Sequence, residues 1–334
     1  MVSMVVAVSV LAGVNAVPVE IVRSADGFEL RRGGVRYEVH GAGAKEDLDA
    51  LVKAGGNSIR TWGVDDKTKE FLDVCHGKGL TVLVGFWLMK AGDHGFSYLD
   101  EAKVNQQFAD VEKRVKELKN HPAVLGWTVG NEVELGLPKE QEAAMWGHVE
   151  KLSQMIRKED PNHPVGTVVA DMWPDKMSAI LKHAPSLQFL GVNSYGGLLT
   201  LHERMEDWKK PYMITEFGPN VPPTSPDVNF GLPVEPDSTA KAEIYRKGYL
   251  KSVRDQKGMV LGSYFFYWDR ASVGIASWFN VHLRTGEKLG GADVLQELWT
   301  GKAVTDPAPK FVASEKLGEF KWRVKFEQPG GVAI

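Results

Sequence analysis

Two glutamates close two short apolar runs, and their chemistry is the first thing this chain offers. Val124-Leu125-Gly126-Trp127-Thr128-Val129 leads into Gly130-Asn131-Glu132, and Pro211-Tyr212-Met213-Ile214-Thr215 leads into Glu216-Phe217-Gly218. The residue types suit buried pleated segments, and each run is too short for a helix. Gly130 lets the backbone turn where the first run stops. In a parallel α/β sheet or barrel, the carboxyl ends of the strands are where chemistry is placed. Two carboxylates there can flank a glycosidic bond: one protonates the leaving oxygen and the other attacks the anomeric carbon.

Other strand ends supply partners for such a pair. Arg60 and Trp62 stand near the end of a candidate strand Asn57–Trp62, Asn193 ends Leu187–Asn193 with Tyr195 just beyond it, and Trp268 ends Met259–Trp268 with Asp269 next. Glu132 then reads as the acid/base, held partly protonated by burial. Glu216 reads as the nucleophile, because a guanidinium such as Arg60 favours the anion. Asn131 can donate to a sugar 2-hydroxyl, Tyr195 to Glu216, and Trp268 can floor the sugar subsite. Trp62, Trp87 and Trp173 can form acceptor subsites, should a sugar hydroxyl replace water as acceptor. Each residue singly has an ordinary reading as turn former, surface charge or core. Their joint placement at strand ends carries the argument.

The elements that must position these residues follow a beat. Candidate strands are Val35–His40, Asn57–Trp62, Leu80–Phe86, the run ending at Glu132, Val165–Ala170, Leu187–Asn193, Pro211–Glu216 and Met259–Trp268. Between and after them lie helical patterns at Ala44–Ala54, Thr68–His76, Asn105–Lys119, Glu140–Lys158, Lys176–His183, His202–Trp208, Thr239–Asp255 and Ala292–Trp299. In Asn105–Lys119, Phe108, Val111, Val115 and Leu118 form one stripe. Eight strand–helix units predict an α/β fold, a (β/α)8 TIM barrel of residues 17–301. A doubly wound open sheet is the alternative, but no dinucleotide glycine fingerprint follows the first strand. Val19–Arg36 reads as a β-hairpin lead-in that can plug the barrel's bottom. Asn220–Asp237, rich in Pro, Gly, Asn and Asp, reads as a functional wall or lid. Residues 302–334 read as a β-rich C-terminal extension.

Composition narrows the classes. The 334 residues suit one barrel, with 43% hydrophobic and 25% charged residues. A net charge of −3, with no basic cluster, argues against a nucleic-acid partner. Cys75 is the sole cysteine, so no internal disulfide forms, and its helical context marks it as a small buried hydrophobe. Residues 1–16 are apolar and small and end in Val14-Asn15-Ala16, which predicts a signal peptide and a secreted or periplasmic protein. His40, His94 and His202 show no ligand spacing, so neither a metal nor another cofactor is expected.

Gly130-Asn131-Glu132 on a fourth strand and Thr215-Glu216-Phe217-Gly218 on a seventh resemble the clan A glycoside hydrolases, nearest the barrels of families 2 and 5. The resemblance covers roughly Val35–Trp299. The clan's second-strand arginine falls on Arg60, its Asn-Glu on Asn131 and Glu132, its nucleophile on Glu216. Its sixth-strand tyrosine falls on Tyr195 and its eighth-strand tryptophan on Trp268. Two positions depart from the pattern. Asn193 stands where the clan often has histidine, and Gly85-Phe86-Trp87 closes the third strand where many family 5 members place one. The resemblance implies a double displacement through a covalent glycosyl-enzyme, with carboxylates about 5–5.5 Å apart.

The expected function is a retaining glycoside hydrolase cleaving β-glycosidic bonds in a β-glucan or related polysaccharide. A transglycosylase of the same mechanism, glucanosyltransferase-like, is the close alternative. A non-catalytic carbohydrate-binding barrel is the alternative from another class. The intact Glu132, Glu216 and Arg60 argue against it.

Overall fold

The computed structural model describes residues 15–222, 228–229, 231–270 and 277–327. Most of the expected signal segment, part of the 220–237 loop and the last residues of the extension lie outside that range.

Eight parallel strands close into a barrel. In chain order they are β4 (Val39–Gly43), β5 (Ser58–Arg60), β6 (Thr81–Phe86), β7 (Val124–Asn131), β8 (Val165–Ala170), β9 (Phe189–Asn193), β10 (Tyr212–Glu216) and β13 (Val260–Phe265). Each pairs with its sequence neighbour in the barrel, and β13 closes on β4 through Gly262↔Val39 to Phe265↔Ala42. Closure rules out the open doubly wound sheet. The outer helices are α1 (Leu48–Lys53), α2 (Thr68–Gly77), α3 (Glu101–Leu118), α4 (Glu142–Glu159), α5 (Pro174–His183), α6 (Leu201–Arg204), α7 (Ser238–Ser252) and α8 (Gly290–Thr300). The α3 stripe packs inward through Val111, Val115 and Leu118, and Asp100 caps its start by accepting from the Lys103 amide. Cys75 on α2 is fully buried, and burial pushes its thiol up to about 12. It is a packing residue.

The first barrel strand is displaced from its expected position at Val35–His40. Val35–Arg36 is instead β3, the edge of an N-terminal sheet with β1 (Val19–Ser24) and β2 (Gly27–Arg32). The barrel strand is the glycine-rich Val39–Gly43. It lacks the β-branched signature because its neighbours leave no room: a Cβ on Gly41 would sit 2.3 Å from the Tyr264 ring, and one on Gly43 2.5 Å from Trp62. The last barrel strand also stops earlier than expected, at Phe265 rather than Trp268.

The N-terminal sheet covers the amino-terminal end of the barrel. Val19 and Leu30 join Val39, Leu83, Leu125, Phe189, Met213, Leu261 and Tyr264 in one buried cluster. The Phe28 amide donates to the Gly258 carbonyl at 2.6 Å and that of Val19 to the Asn162 carbonyl at 2.7 Å, both in loops that enter strands. Gly258 has φ +88°, and a Cβ there would lie 1.8 Å from the Asp26 carbonyl oxygen. Only glycine fits that contact.

Two smaller β elements lie outside the barrel. After β10, β11 (Val228–Asn229) and β12 (Leu232–Pro233) pair within the 220–237 loop. Beyond α8, β14 (Lys310–Gly318) and β15 (Lys321–Glu327) form an antiparallel hairpin. Among the described residues, no helix is long and apolar enough to cross a membrane.

Candidate active site

Arg60, Asn131, Asn193 and Glu216 are each the last residue of their strand, on β5, β7, β9 and β10. Barrel closure brings these ends to one mouth. Pairing shifts at two of them, between Ile214 and Glu216 against β9 and between Thr128 and Asn131 against β8. Such irregularities re-aim a strand-end side chain.

Glu216 is 7% exposed and takes hydrogen bonds on both carboxylate oxygens. Arg60 Nη1 donates to Oε1 at 2.7 Å, Trp62 Nε1 donates to the same oxygen at 2.8 Å, and the Tyr195 hydroxyl donates to Oε2 at 2.7 Å. Arg60 is itself buried and branches to the rest of the site. Its Nη1 also reaches the Thr215 carbonyl at 2.9 Å and Asn193 Oδ1 at 3.3 Å, and its Nη2 reaches Asn131 Oδ1 at 2.6 Å. The guanidinium carbon lies 5.0 Å from the centre of the Trp62 ring, a cation–π distance. A charge in a low-dielectric interior is tolerated only when paired and hydrogen-bonded, and this network supplies both.

Glu132 lies one residue past β7 in the left-handed region, at φ 52°, after Gly130 at φ 84°. The Glu132 amide still donates to the Val168 carbonyl at 2.9 Å, so its backbone stays tied to β8. A non-glycine residue in this region carries strain of about 1–2 kcal/mol. Asn193 Nδ2 donates to Glu132 Oε1 at 2.9 Å and to Asn131 Oδ1 at 3.2 Å, while Thr215 Oγ1 donates to Asn193 Oδ1 at 2.8 Å. Asn193 thus bridges the surroundings of the two glutamates. Burial raises the Glu132 carboxyl above its ordinary range, and the charges of Glu216 and Glu134 push it the same way. The Asn193 bond and Lys90 pull against them. Burial, then the charge of Glu216, also pushes the Tyr195 hydroxyl well up, so Tyr195 stays a donor at neutral pH. Asn131 Oδ1 is occupied by Arg60 and Asn193, which leaves its Nδ2 to donate to a ligand hydroxyl.

The structure therefore gathers Arg60, Trp62, Asn131, Glu132, Asn193, Tyr195 and Glu216. It does not bring Trp268 among them. Trp268 is 1% exposed, with its ring 4.9 Å from His282 and 6.3 Å from Trp299. An indole so enclosed offers no face to a sugar. Because β13 ends at Phe265, Phe266 takes the place facing the site: its ring meets Trp62 edge-on at 5.8 Å and Tyr195 at 6.1 Å. Asp269 also faces elsewhere. It accepts the Lys45 amide at 2.8 Å and the Tyr267 hydroxyl at 2.6 Å, holding the β4–α1 loop. Trp87 and Trp173 stand on the loops after β6 and β8, 50% and 57% exposed.

Some partners were missed in the sequence. The Trp62 indole nitrogen on Glu216, the Thr215 hydroxyl under Asn193 and the Phe266 wall left no local signal except the aromatic run Tyr264–Trp268.

Comparison with known proteins shows the family of this chain. The family model described as "Glycosyl hydrolases family 2, TIM barrel domain" matches residues 39–261. A β-galactosidase of Arthrobacter sp. (strain B7) is 28% identical over 123 residues, 35% of this chain and 12% of that protein. Among solved structures, β-D-glucuronidase of Dictyoglomus thermophilum is 18% identical with a TM-score of 0.61, covering 84% of this chain and 53% of that one. The β-glucuronidase of Ruminococcus gnavus is 14% identical with a TM-score of 0.64, covering 86% and 53%. A β-galacturonidase of Eisenbergiella tayi bound to galacturonate is 15% identical with a TM-score of 0.63, covering 86% and 54%. The structural likeness shows a shared fold, and this chain spans about half the length of those chains. The family match covers more than half of the sequence and contains both glutamates: the chain belongs to glycosyl hydrolase family 2, in its TIM barrel domain.

Proposed function

We propose that this chain is the catalytic barrel of a retaining β-glycosidase, with Glu216 as nucleophile and Glu132 as acid/base. The observation that carries the reading is the asymmetry between the two carboxyls. Glu216 receives Arg60, Trp62 and Tyr195. Among the described residues Glu132 has one side-chain amide donor, and burial raises its carboxyl. Environments that push two acids apart mark a proton donor and a nucleophile.

In the first step Glu132 gives its proton to the glycosidic oxygen as the C1–O bond breaks. Glu216 forms the new bond to C1, and the leaving group departs as an alcohol. Oε2, with one donor against two on Oε1 among the described residues, has the freer lone pair for attack. Positive charge that develops at C1 is offset by the carboxylate, and the Asn131 amide meets the sugar's 2-hydroxyl. In the second step Glu132, now a carboxylate, takes a proton from water as the water oxygen attacks C1. The C1–Glu216 bond breaks, and both residues return to their starting states with the anomeric configuration kept.

The substrate we favour is a β-glucan or a related polysaccharide. The exposed Trp87 and Trp173, on the loops after β6 and β8, support it, since indole faces suit sugar rings. The test is a screen of the purified chain against β-1,3-, β-1,4- and mixed-linkage glucans, mannan, and aryl β-glucosides, β-galactosides and β-glucuronides. Glu216→Ala serves as the blank, with its fold checked by circular dichroism. Activity that the variant lacks, with retained anomeric configuration by NMR, is the expected result. Full activity in Glu216→Ala overturns the assignment. Products longer than the substrate would mark transfer to a sugar acceptor. The apolar stretch over residues 1–16 we read as an export signal. A secreting host should release a chain starting at Val17, and retention of Met1 in the released protein counts against this.

A further inference from the structure

Two exposed tryptophans follow the strands on either side of the one that leads into Glu132. Trp87 follows β6 and Trp173 follows β8, and these strands are the two barrel neighbours of β7, which leads into Glu132. Both indoles are at least half exposed. Leaving that much apolar surface in water is unfavourable, so an exposed indole fixed by its surroundings calls for an account.

Trp173 has a cation against its ring and a tethered loop beneath its backbone. The Arg204 guanidinium lies 5.2 Å from its ring centre. Arg204 is in turn tied to Asp171 Oδ1 at 2.6 Å and to the Gly197 carbonyl at 2.8 Å. Lys176 Nζ donates to the carbonyls of Ala170 and Asp171 and to Glu134 Oε1. Glu134 Oε1 also accepts the Ala170 amide at 2.8 Å. Glu134 lies two residues past Glu132, so this ion pair fastens the Trp173 loop to the Glu132 loop. Trp87 is fixed as well. The next residue, Leu88, is buried, Met89 donates its amide to Gln107 at 2.8 Å, and its carbonyl takes the Tyr98 hydroxyl at 2.8 Å.

We infer that Trp87 and Trp173 are stacking platforms for sugar units on the leaving-group side of the scissile bond, so that the leaving group is a sugar chain rather than a small alcohol. The inference rests on the reading of Glu132 as the proton donor. That donor must reach the departing oxygen while Glu216 attacks from the opposite face, so the leaving group lies against the strands around Glu132. The flat apolar faces of pyranose rings match the two indoles. Arg204 and the Glu134–Lys176 pair act as positioning residues for the Trp173 face.

The test separates this inference from turnover. Binding of laminaripentaose, cellopentaose, mannopentaose and xylopentaose is measured by calorimetry on the inactive Glu216→Ala chain, with the matching monosaccharides as controls. Trp87→Ala and Trp173→Ala are then added singly. The expected result is binding of at least one pentaose, weakened about tenfold or more by each substitution, with phenylalanine at either position restoring part of it and monosaccharide binding unchanged. Failure of all four pentaoses to bind, or binding indifferent to both substitutions, overturns the inference. In the active chain the same substitutions should lower kcat/KM for the pentaose by a larger factor than for a glycosyl fluoride, whose single leaving atom reaches neither indole; equal loss on both substrates also overturns it. Activity that survives Glu216→Ala would sink the catalytic assignment instead, a different readout.

Discussion

Asn193 Nδ2 donates to Glu132 Oε1 at 2.9 Å, and this bond opposes the burial that raises the Glu132 carboxyl. The same side chain takes Thr215 and Arg60 on its oxygen, so its amide orientation is set from the far side. Removing it with Asn193→Ala should push the Glu132 carboxyl further up. On the proposed mechanism activity needs Glu132 protonated, and it falls as pH rises through that group's titration. The alkaline limb of kcat/KM should therefore move to higher pH in the variant. A pH–rate profile that is unchanged or shifted down would count against the bridge.

Glu132→Gln should trade activity for stability. On substrates with poor leaving groups, loss of the proton donor should lower kcat by about 10²–10⁴-fold. The Gln carbonyl keeps an acceptor for Asn193. Because the folded carboxyl titrates above its unfolded value, its stabilising contribution is full below about pH 4 and is lost as pH rises through the raised folded value. The variant should thus melt above the wild type at neutral pH, with the gap closing in acid. Melting curves at both pH values check this; a lower Tm at neutral pH contradicts it.

Trp62→Phe keeps an aromatic ring beside Arg60 and removes the indole donor to Glu216 Oε1. A hydrogen bond to a charged group contributes about 1.5–3 kcal/mol. On the proposed mechanism the indole fixes the attacking carboxylate, so its loss should lower kcat/KM by up to about 150-fold and lower Tm as well. A variant with wild-type kinetics would reduce Trp62 to a wall residue.

Gly258→Ala tests the barrel's covered end rather than its mouth. The added Cβ meets the Asp26 carbonyl in a left-handed residue, so the N-terminal sheet must shift. Stability should fall by more than about 1 kcal/mol. Chemical denaturation should show this loss, while kcat/KM at low temperature stays near wild type because the carboxyl ends of the strands are untouched.

Much of this protein was legible in its sequence because the relevant signals are local. The alternation of short apolar runs with helical stripes is set residue by residue, and eight such units have few ways to bury their strands other than a barrel. Glu132, Glu216, Arg60 and Asn131 could be picked out because each terminates such a run. The places where sequence reading slipped share one physical cause. Val35–His40 looked more strand-like than Val39–Gly43, yet the latter enters the barrel, because the Tyr264 and Trp62 rings fill the space its side chains would need. Trp268 looked like the sugar platform, yet β13 ends at Phe265 and Phe266 faces the site. Which side chain reaches which depends on strand length, register shifts and closure between strands far apart in the chain. The residues proposed to do the chemistry are thus readable from sequence as strand-end side chains, whereas the Trp62–Glu216 bond, the Asn193 bridge and the open stance of Trp87 and Trp173 exist only once the barrel has closed.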